Sequence, residues 1–296
     1  MPTNLDVARS SSTFLTSGCP LCGAREPRSV YGRELLGVVW ELLHCPACGL
    51  RYTSPCPTDE QIGRFYSGDY HQELMAPGAT ERTFGKKFRR YVAWIRKFRR
   101  SGRALDIGCS TGLLVRLLGD SGFEAEGMEM NAASAAWAAE HQGIKVRTDL
   151  LQDGTFPAGS FDLVTMGDVL EHTVTPLSFL AIVRKILKPG GHMFVSFPDV
   201  SSLESRYWYW LSRWTGRGWL WRTCHIPGHI WEFTRVTAER TFREAGFDLV
   251  GFRRSQPLPE VNRSLSGLLA LPTLLLCLPG VARLCGTQME FIIRRR

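Results

Sequence analysis

Residues 103–112 read Arg-Ala-Leu-Asp-Ile-Gly-Cys-Ser-Thr-Gly, and Leu113, Leu114, Val115, Leu117 and Leu118 follow. A short apolar run with an acid near its end, a glycine turn and then apolar residues at helical spacing predict strand, turn and helix. Such a turn brings backbone N–H groups and a helix N-terminus close to a ligand. A plain strand-to-helix connection also uses glycine, so the neighbouring segments must decide.

Downstream, Phe123-Glu-Ala-Glu-Gly-Met-Glu129 predicts a second strand ending at an acid. A carboxylate there can accept both hydroxyls of a ribose, and its spacing from Asp106 is close to what that needs. Ala132 to His141 is alanine-rich and helical. Ile144 to Asp149 predicts strand three, again ending at an acid, and Phe161 to Met166 strand four, followed by Gly167-Asp168-Val-Leu-Glu171-His172. Leu180 to Leu187 predicts a helix stopped at Lys188-Pro189-Gly190-Gly191, and His192 to Phe197 strand five. The alternation runs to about Phe252, and Gln288 to Ile293 forms a short terminal strand. The expected fold class is α/β: a Rossmann-like, seven-stranded, mostly parallel sheet with helices on both faces.

Upstream, Cys19-Pro-Leu-Cys22-Gly23 and Cys45-Pro-Ala-Cys48-Gly49 repeat one pattern. Two residues between thiolates let one tight turn aim both sulfurs at one ion, and the following glycine tolerates the positive φ of such a turn. Cys19, Cys22, Cys45 and Cys48 together suit a closed, tetrahedral, structural zinc ribbon. An iron site or a redox pair is the competing chemistry, but neither pair opens a helix beneath a strand.

The chain has 296 residues, 44% hydrophobic and 22% charged, with a formal charge of +8. That composition disfavours pervasive disorder, a collagen-like chain and a polytopic membrane protein. The positive balance permits contact with nucleic acid or anionic lipid without requiring it. Nine cysteines are few for a disulfide scaffold of this length, and the first residues lack the apolar run of a secretory signal. A reducing cytoplasm is the expected compartment. The expected organisation is a flexible N-terminus (1–17), a zinc-ribbon module (18–57), a helical cap (58–102) and a ligand-binding domain (103–296). That domain carries a second cap at 200–228 and a hydrophobic insertion at 257–286.

Leu105-Asp-Ile-Gly-Cys-Ser-Thr-Gly112, Glu129, Phe161-Asp-Leu-Val164, Val169-Leu-Glu-His172 and Leu187-Lys-Pro-Gly-Gly-His-Met-Phe194 resemble the class I S-adenosylmethionine-dependent methyltransferases. His229-Ile-Trp-Glu-Phe-Thr234 and Phe242-Arg-Glu-Ala-Gly-Phe247 do so too. Tyr52 to Glu60, with Phe65-Tyr66 and Asp69-Tyr70, resembles members bearing an N-terminal zinc ribbon. The resemblance implies S-adenosylmethionine as cofactor beside structural zinc. It places Asp106, Gly108, Cys109 and Gly112 around the methionine part, with Asp106 orienting the loop and the amino group. Glu129 would hold the ribose hydroxyls, Met130 lie against adenine, Asp149 accept from the adenine amino group and Leu150 flank the ring. Asp168 would stand by the amino-acid part. Ser110 departs from the glycine common at its position.

An acceptor that must lose a proton needs a base near neutral pKa, which suits histidine. His172, His225 and His229 follow strands four and five, and His225, in the variable cap, is the favoured base on sequence. Tyr66 and Tyr70 would either close over the site or pack the N-terminal module. Residues 206–222 hold five of the nine tryptophans, for stacking on a sugar or base, for a lipid interface, or for core packing. Ser264 to Ala282 carries no charge, but Pro272 and Pro279 break it. It predicts a buried or interfacial helical hairpin between strands six and seven, where flanking arginines would favour an anionic inner membrane surface. Arg82 to Arg103 predicts an amphipathic basic helix, in the bland case a solvated face.

The expected function is transfer of a methyl group to oxygen or carbon of a small molecule: a sugar, secondary metabolite or cell-envelope precursor. The alternatives are an RNA methyltransferase and a non-catalytic cofactor-binding or scaffold protein. Strand four ends in Met-Gly-Asp-Val, without the Asn/Asp-Pro-Pro-Tyr turn that stacks a flipped base.

Overall fold

A computed structural model describes residues 18–35, 37–58, 60–62, 72–76, 78–215, 227–256 and 271–296. Tyr66, Tyr70 and His225 lie outside them, as do the tryptophan-bearing residues 216–226 and residues 257–270 of the hydrophobic insertion.

The glycine-bracketed stretch forms β4 (Gly102–Ile107), whose Ala104, Leu105, Asp106 and Ile107 are all buried. A strand buried on both faces reads as a continuous apolar run, which explains why Arg103–Ile107 does not alternate. β5 (Phe123–Met128) and β6 (Lys145–Arg147) extend the sheet on one side of β4. On the other side lie β7 (Phe161–Gly167), β8 (Leu187–Pro198), β11 (Gln288–Arg295) and β10 (Phe247–Ser255). The order is β10-β11-β8-β7-β4-β5-β6, and β11 runs antiparallel to both neighbours. This is the expected seven-stranded, mostly parallel sheet. Chain order reverses about β4, between β7 and β5, and the crevice outside the carboxyl ends there is where such sheets bind ligands.

Helices cover both faces. On one, α2 (Ala79–Ile95), preceded by the short α1 (Gln72–Met75), lays Tyr91, Val92, Trp94 and Ile95 against Leu118, Phe194 and Ile292. α3 (Leu113–Asp120) packs beside it, and α4 (Ala132–Gln142) follows β5. On the other face, α5 (Pro176–Ile186) and α7 (Arg235–Glu244) contribute Leu180, Val183, Ala238 and Phe242 to the main core. The expected helix end at Leu187 is corrected by one residue, because Leu187 already pairs with Phe161. Ladder pairing then jumps to Leu163↔His192, so Lys188 to Gly191 stand opposite Asp162 alone and bulge out of β8. Pro-Gly-Gly does end the helix, and the regular ladder starts at His192 as expected.

The N-terminal cysteine segment is a second sheet: β1 (Arg28–Leu35), β2 (Val38–His44), β3 (Arg51–Ser54) and, from the distant end of the chain, β9 (Trp231–Glu232). The knuckles and β3 share one core with the larger sheet. Cys19, Cys45, Leu50 and Tyr52 belong to the same cluster as Ile230, Trp231 and Phe233. Trp40 and Leu42 of β2 pack on Trp208 and Leu211 of α6 (Leu203–Thr215). After β10, residues 271–277 form a 3-10 helix and α8 spans Pro279–Cys285. Among the described residues, no helix is long and apolar enough to cross a membrane.

Candidate active site

The loop after β4 is shaped by two glycines. Gly108 has φ +73° and Gly112 φ +76°, in the left-handed region that glycine tolerates. A Cβ on Gly108 would lie 2.6 Å from Cγ2 of Val169, and one on Gly112 would run into Ile144. Ser110, which departs from the family's usual glycine, adopts φ +49°, so the loop keeps a glycine-like shape there. The turn does not offer all its N–H groups to a ligand, as sequence alone suggests. Gly108 and Cys109 both donate to the Met128 carbonyl, at 2.8 and 2.9 Å, and Gly112 donates to Cys109. Their work is to hold the loop on the end of β5. Cys109 is buried, with its Sγ facing Gly127, and burial pushes its thiol far up. It packs the loop from beneath.

Glu129 stands one residue beyond β5. Its carboxylate accepts from the N–H of Ser110 at 2.9 Å and of Asn131 at 2.8 Å. A carboxylate has about four acceptor positions, so two remain for neighbouring hydroxyls. Met130 is 57% exposed and Leu150 53% exposed, at the carboxyl ends of the adjacent strands β5 and β6. Two large apolar side chains left wet beside the loop fit the flanks of a purine. Asp149 is held by Arg147 through two bonds of 2.9 and 2.8 Å.

Asp106, beneath the loop, is 4% exposed and accepts from Thr165 Oγ1 at 2.6 Å. The β4–β7 register, which pairs these two residues, sets that bond. Burial pushes its carboxyl up to about 7; the Thr165 bond opposes the shift and the Glu129 charge adds to it. A cationic group arriving beside it would draw the value back down. These features suit an adenosyl group carrying an amino-acid tail: a loop packed too closely to admit a Cβ, a carboxylate for hydroxyls, apolar flanks and a buried acid.

Asp168 follows β7 with φ +58°. Its Oδ2 pairs with Lys87 Nζ of α2 at 3.0 Å and its Oδ1 accepts from Gln288 Nε2 at 2.6 Å. Neither Lys87 nor Gln288 was legible as a site residue, since each comes from a distant part of the chain. The next turn is a 3-10 helix, Leu170–His172. Glu171 there is 1% exposed, and among the described residues neither carboxylate oxygen has a hydrogen-bond partner. Burial, reinforced by the Asp168 charge, raises its pKa well above the usual carboxylate range. Ligand atoms of Glu171, His172 and His229 lie within 4.8 Å of one another. The imidazoles of His172 and His229 meet edge to face, 4.7 Å between centroids. His172 Nδ1 lies 2.7 Å from the Gly228 carbonyl, and burial lowers its pKa, favouring the neutral base form. Two of the three expected histidines are thus brought together. Such a group can take a proton, and its donors are also of the kind divalent cations accept.

At the ribbon, the Sγ atoms of Cys19 and Cys48, and of Cys22 and Cys45, are 3.5 Å apart, and all four lie within 4.8 Å. Tetrahedral zinc with sulfurs at ~2.3 Å needs a sulfur–sulfur spacing of ~3.8 Å, so the four residues fit the ion. Burial pushes the Cys19 thiol up to about 11. Burial also acts on Cys45, but the Cys48 amide, the Cys22 thiol and the Ala47 amide bring it down to about 7.

Part of the basic stretch after Arg82 is paired with acids. Arg89 pairs with Glu81, Arg99 with Asp162 at 3.8 Å and Arg103 with Glu126 at 3.0 Å.

Residues 80–251 match a family model described as a methyltransferase domain. A ubiquinone biosynthesis O-methyltransferase of Cereibacter sphaeroides is 30% identical over 205 residues, covering 65% of this chain and 74% of that protein. One of Marinobacter nauticus is 39% identical over 102 residues, covering 32% of this chain. In that match and others like it, the chain spans about two fifths of the curated relatives' length. Among solved structures, an S-adenosylmethionine-dependent methyltransferase of Archaeoglobus fulgidus shares the fold, with a TM-score of 0.54 and 16% identity. It covers 77% of this chain and 100% of that one.

Proposed function

Because the chain belongs to the methyltransferase-domain family, in its class I S-adenosylmethionine-dependent fold, we propose that it transfers a methyl group to an oxygen of a small molecule. S-adenosylmethionine, when bound, supplies an electrophilic methyl on sulfonium. The chain's own residues then have two tasks: to hold the donor and to present a deprotonated acceptor in line with it. Asp106, Gly108, Gly112 and Glu129 hold the donor, with Met130 and Leu150 on the adenine, Asp149 at its amino group and Asp168 by the amino-acid tail. His229 and His172 take the acceptor's proton.

The observation that carries this reading is the imidazole pair beside Asp168, one strand over from the Gly108 loop. The names of the relatives support oxygen as the acceptor atom. The acceptor class is a hydroxyl-bearing metabolite, sugar or envelope precursor. Tritiated methyl transfer over a panel of catechols, phenols and sugar hydroxyls tests it. Wild type should label at least one class and His229→Asn should not. Labelling of transfer RNA alone would favour the RNA alternative, and failure to bind S-adenosylhomocysteine would leave a scaffold. Zinc in the four-cysteine site is proposed as structural.

A cytoplasmic location, with peripheral contact at an anionic inner membrane surface, is proposed as well. Trp210 and Trp214 of α6 stack at 5.7 Å and are exposed, with Arg206 and Arg213 on the same helix face. Leu275, Leu278 and Leu284 are exposed in the insertion. Tryptophan and arginine on one face suit a headgroup boundary. Wild type should float with phosphatidylglycerol vesicles and not with neutral ones, and W210S/W214S should remain below. Equal flotation of the variant would exclude this face.

A further inference from the structure

We infer that the zinc ribbon buttresses the proposed base: its third strand holds the His229 segment against the turn that carries Glu171 and His172. This rests on the histidine reading above for its catalytic consequence, and on hydrogen bonds alone for the mechanical one.

The second cysteine knuckle is itself the turn that joins two ribbon strands. β2 ends at His44, and Cys45 donates to the Leu50 carbonyl at 2.8 Å while Gly49 donates back to Cys45 at 2.8 Å. β3 begins at Arg51, three residues after Cys48, so the metal site pins the start of that strand. Along its outer edge β3 pairs Arg51 with Glu232 and Tyr52 with Trp231. The Thr53 amide donates to the Ile230 carbonyl at 2.9 Å, and the Thr53 hydroxyl donates to the His229 carbonyl at 2.7 Å.

The other side of the same segment is fastened to the active-site turn. Ile230 donates to the Glu171 carbonyl at 2.9 Å, His172 meets the Gly228 carbonyl, and the Trp231 indole donates to the Thr173 carbonyl. Residues 228–231 are therefore a middle layer, bonded to the ribbon on one edge and to the Glu171–His172 turn on the other. β9 is only two residues long, too short to hold position by its own ladder. Its place depends on what lies on either side. Thr53 is the positioning residue in this arrangement: it touches neither donor nor acceptor, and its hydroxyl fixes the carbonyl of the histidine itself.

Amide hydrogen exchange on the full, zinc-loaded chain tests it. Thr53→Val keeps the shape and deletes the hydroxyl, so exchange of 228–233 should rise about five- to tenfold, while Thr53→Ser should restore protection. Removing zinc with a chelator should raise exchange in 51–54, 228–233 and 170–172 together, leaving β4 and β5 protected. With catechol as hydroxyl probe, Thr53→Val should lower kcat about tenfold or more and leave S-adenosylhomocysteine affinity within twofold. Protection at 228–233 and 170–172 that survives both zinc removal and Thr53→Val would overturn the buttress. If exchange responds as stated yet His229→Asn transfers methyl at the wild-type rate, the buttress stands and the base assignment falls.

Discussion

Replacing Gly108 by alanine adds one methyl group at the point where the donor loop leaves the sheet. The backbone there sits at φ +73°, which costs an L-residue about 1–2 kcal/mol. The methyl would also stand 2.6 Å from Cγ2 of Val169, an overpacking worth about 1–3 kcal/mol. The sum, about 2–5 kcal/mol, must appear as a displaced loop or a less stable fold. If the loop moves, the Ser110 amide leaves Glu129, and donor affinity falls at least about thirtyfold. Titration calorimetry with S-adenosylhomocysteine measures this, with zinc content and melting temperature alongside; zinc should be unchanged. Val169→Ala in the same chain removes the clash but not the unfavourable φ. The double variant should therefore recover the overpacking part and retain the backbone part, a coupling that a double-mutant cycle resolves. Wild-type affinity and melting in Gly108→Ala would refute the placement of the pocket. Absence of recovery in the double variant would refute the clash with Val169 as the cause.

Glu129→Ala strands the Ser110 and Asn131 amides that its carboxylate now accepts, and should weaken S-adenosylhomocysteine about tenfold or more in the same titration. Asp106 predicts a pH profile. Its folded pKa, about 7, lies above the ordinary 3.8, so the fold keeps a proton that the unfolded chain has lost. The Asp106 contribution to the stability of the donor-free protein should fall as pH rises from about 4 to 7 and level above, by up to ~1.4 kcal/mol per pH unit; Asp106→Asn should remove that share of the melting profile and leave the shares of Glu171 and Glu232, whose buried carboxyls are raised too. A donor that needs the ionised acid should gain about tenfold in affinity between pH 6 and pH 8, and a flat titration would contradict that role. Cys22→Ser with Cys48→Ser should remove zinc, by elemental analysis, and lower the melting temperature; unchanged metal content would contradict the ribbon.

The sheet was legible because its signal is local. Arg103 to Leu118 carries strand, turn and helix in one stretch, and each later strand repeats the pattern. The ladder from His192 was legible for the same reason, whereas Leu187 was not assigned to its strand, since pairing with Phe161 is a tertiary fact. The cysteine knuckles announced themselves by spacing. The completion of their sheet by Trp231 and Glu232 did not, because two residues leave no periodicity to read. In the site, Asp106, Gly108 and Glu129 sit where strand ends place them. Thr165, Lys87 and Gln288 reach it only through register and helix packing, which a linear pattern does not contain. Cys109 shows the converse: it lies inside the motif yet faces Gly127. His225 is favoured on sequence for its place in the variable cap and lies outside the described residues, while Glu171 gains weight only from the burial of its carboxylate without a hydrogen-bond partner among the described residues.

The most direct measurement is a crystal of this chain soaked with S-adenosylhomocysteine. The expected density fills the crevice at the carboxyl ends of β4 and β5, its ribose on Glu129, its base between Met130 and Leu150 and its tail above Asp106. Nucleoside density seated anywhere else, or a crevice holding solvent alone at saturating ligand, would contradict the account.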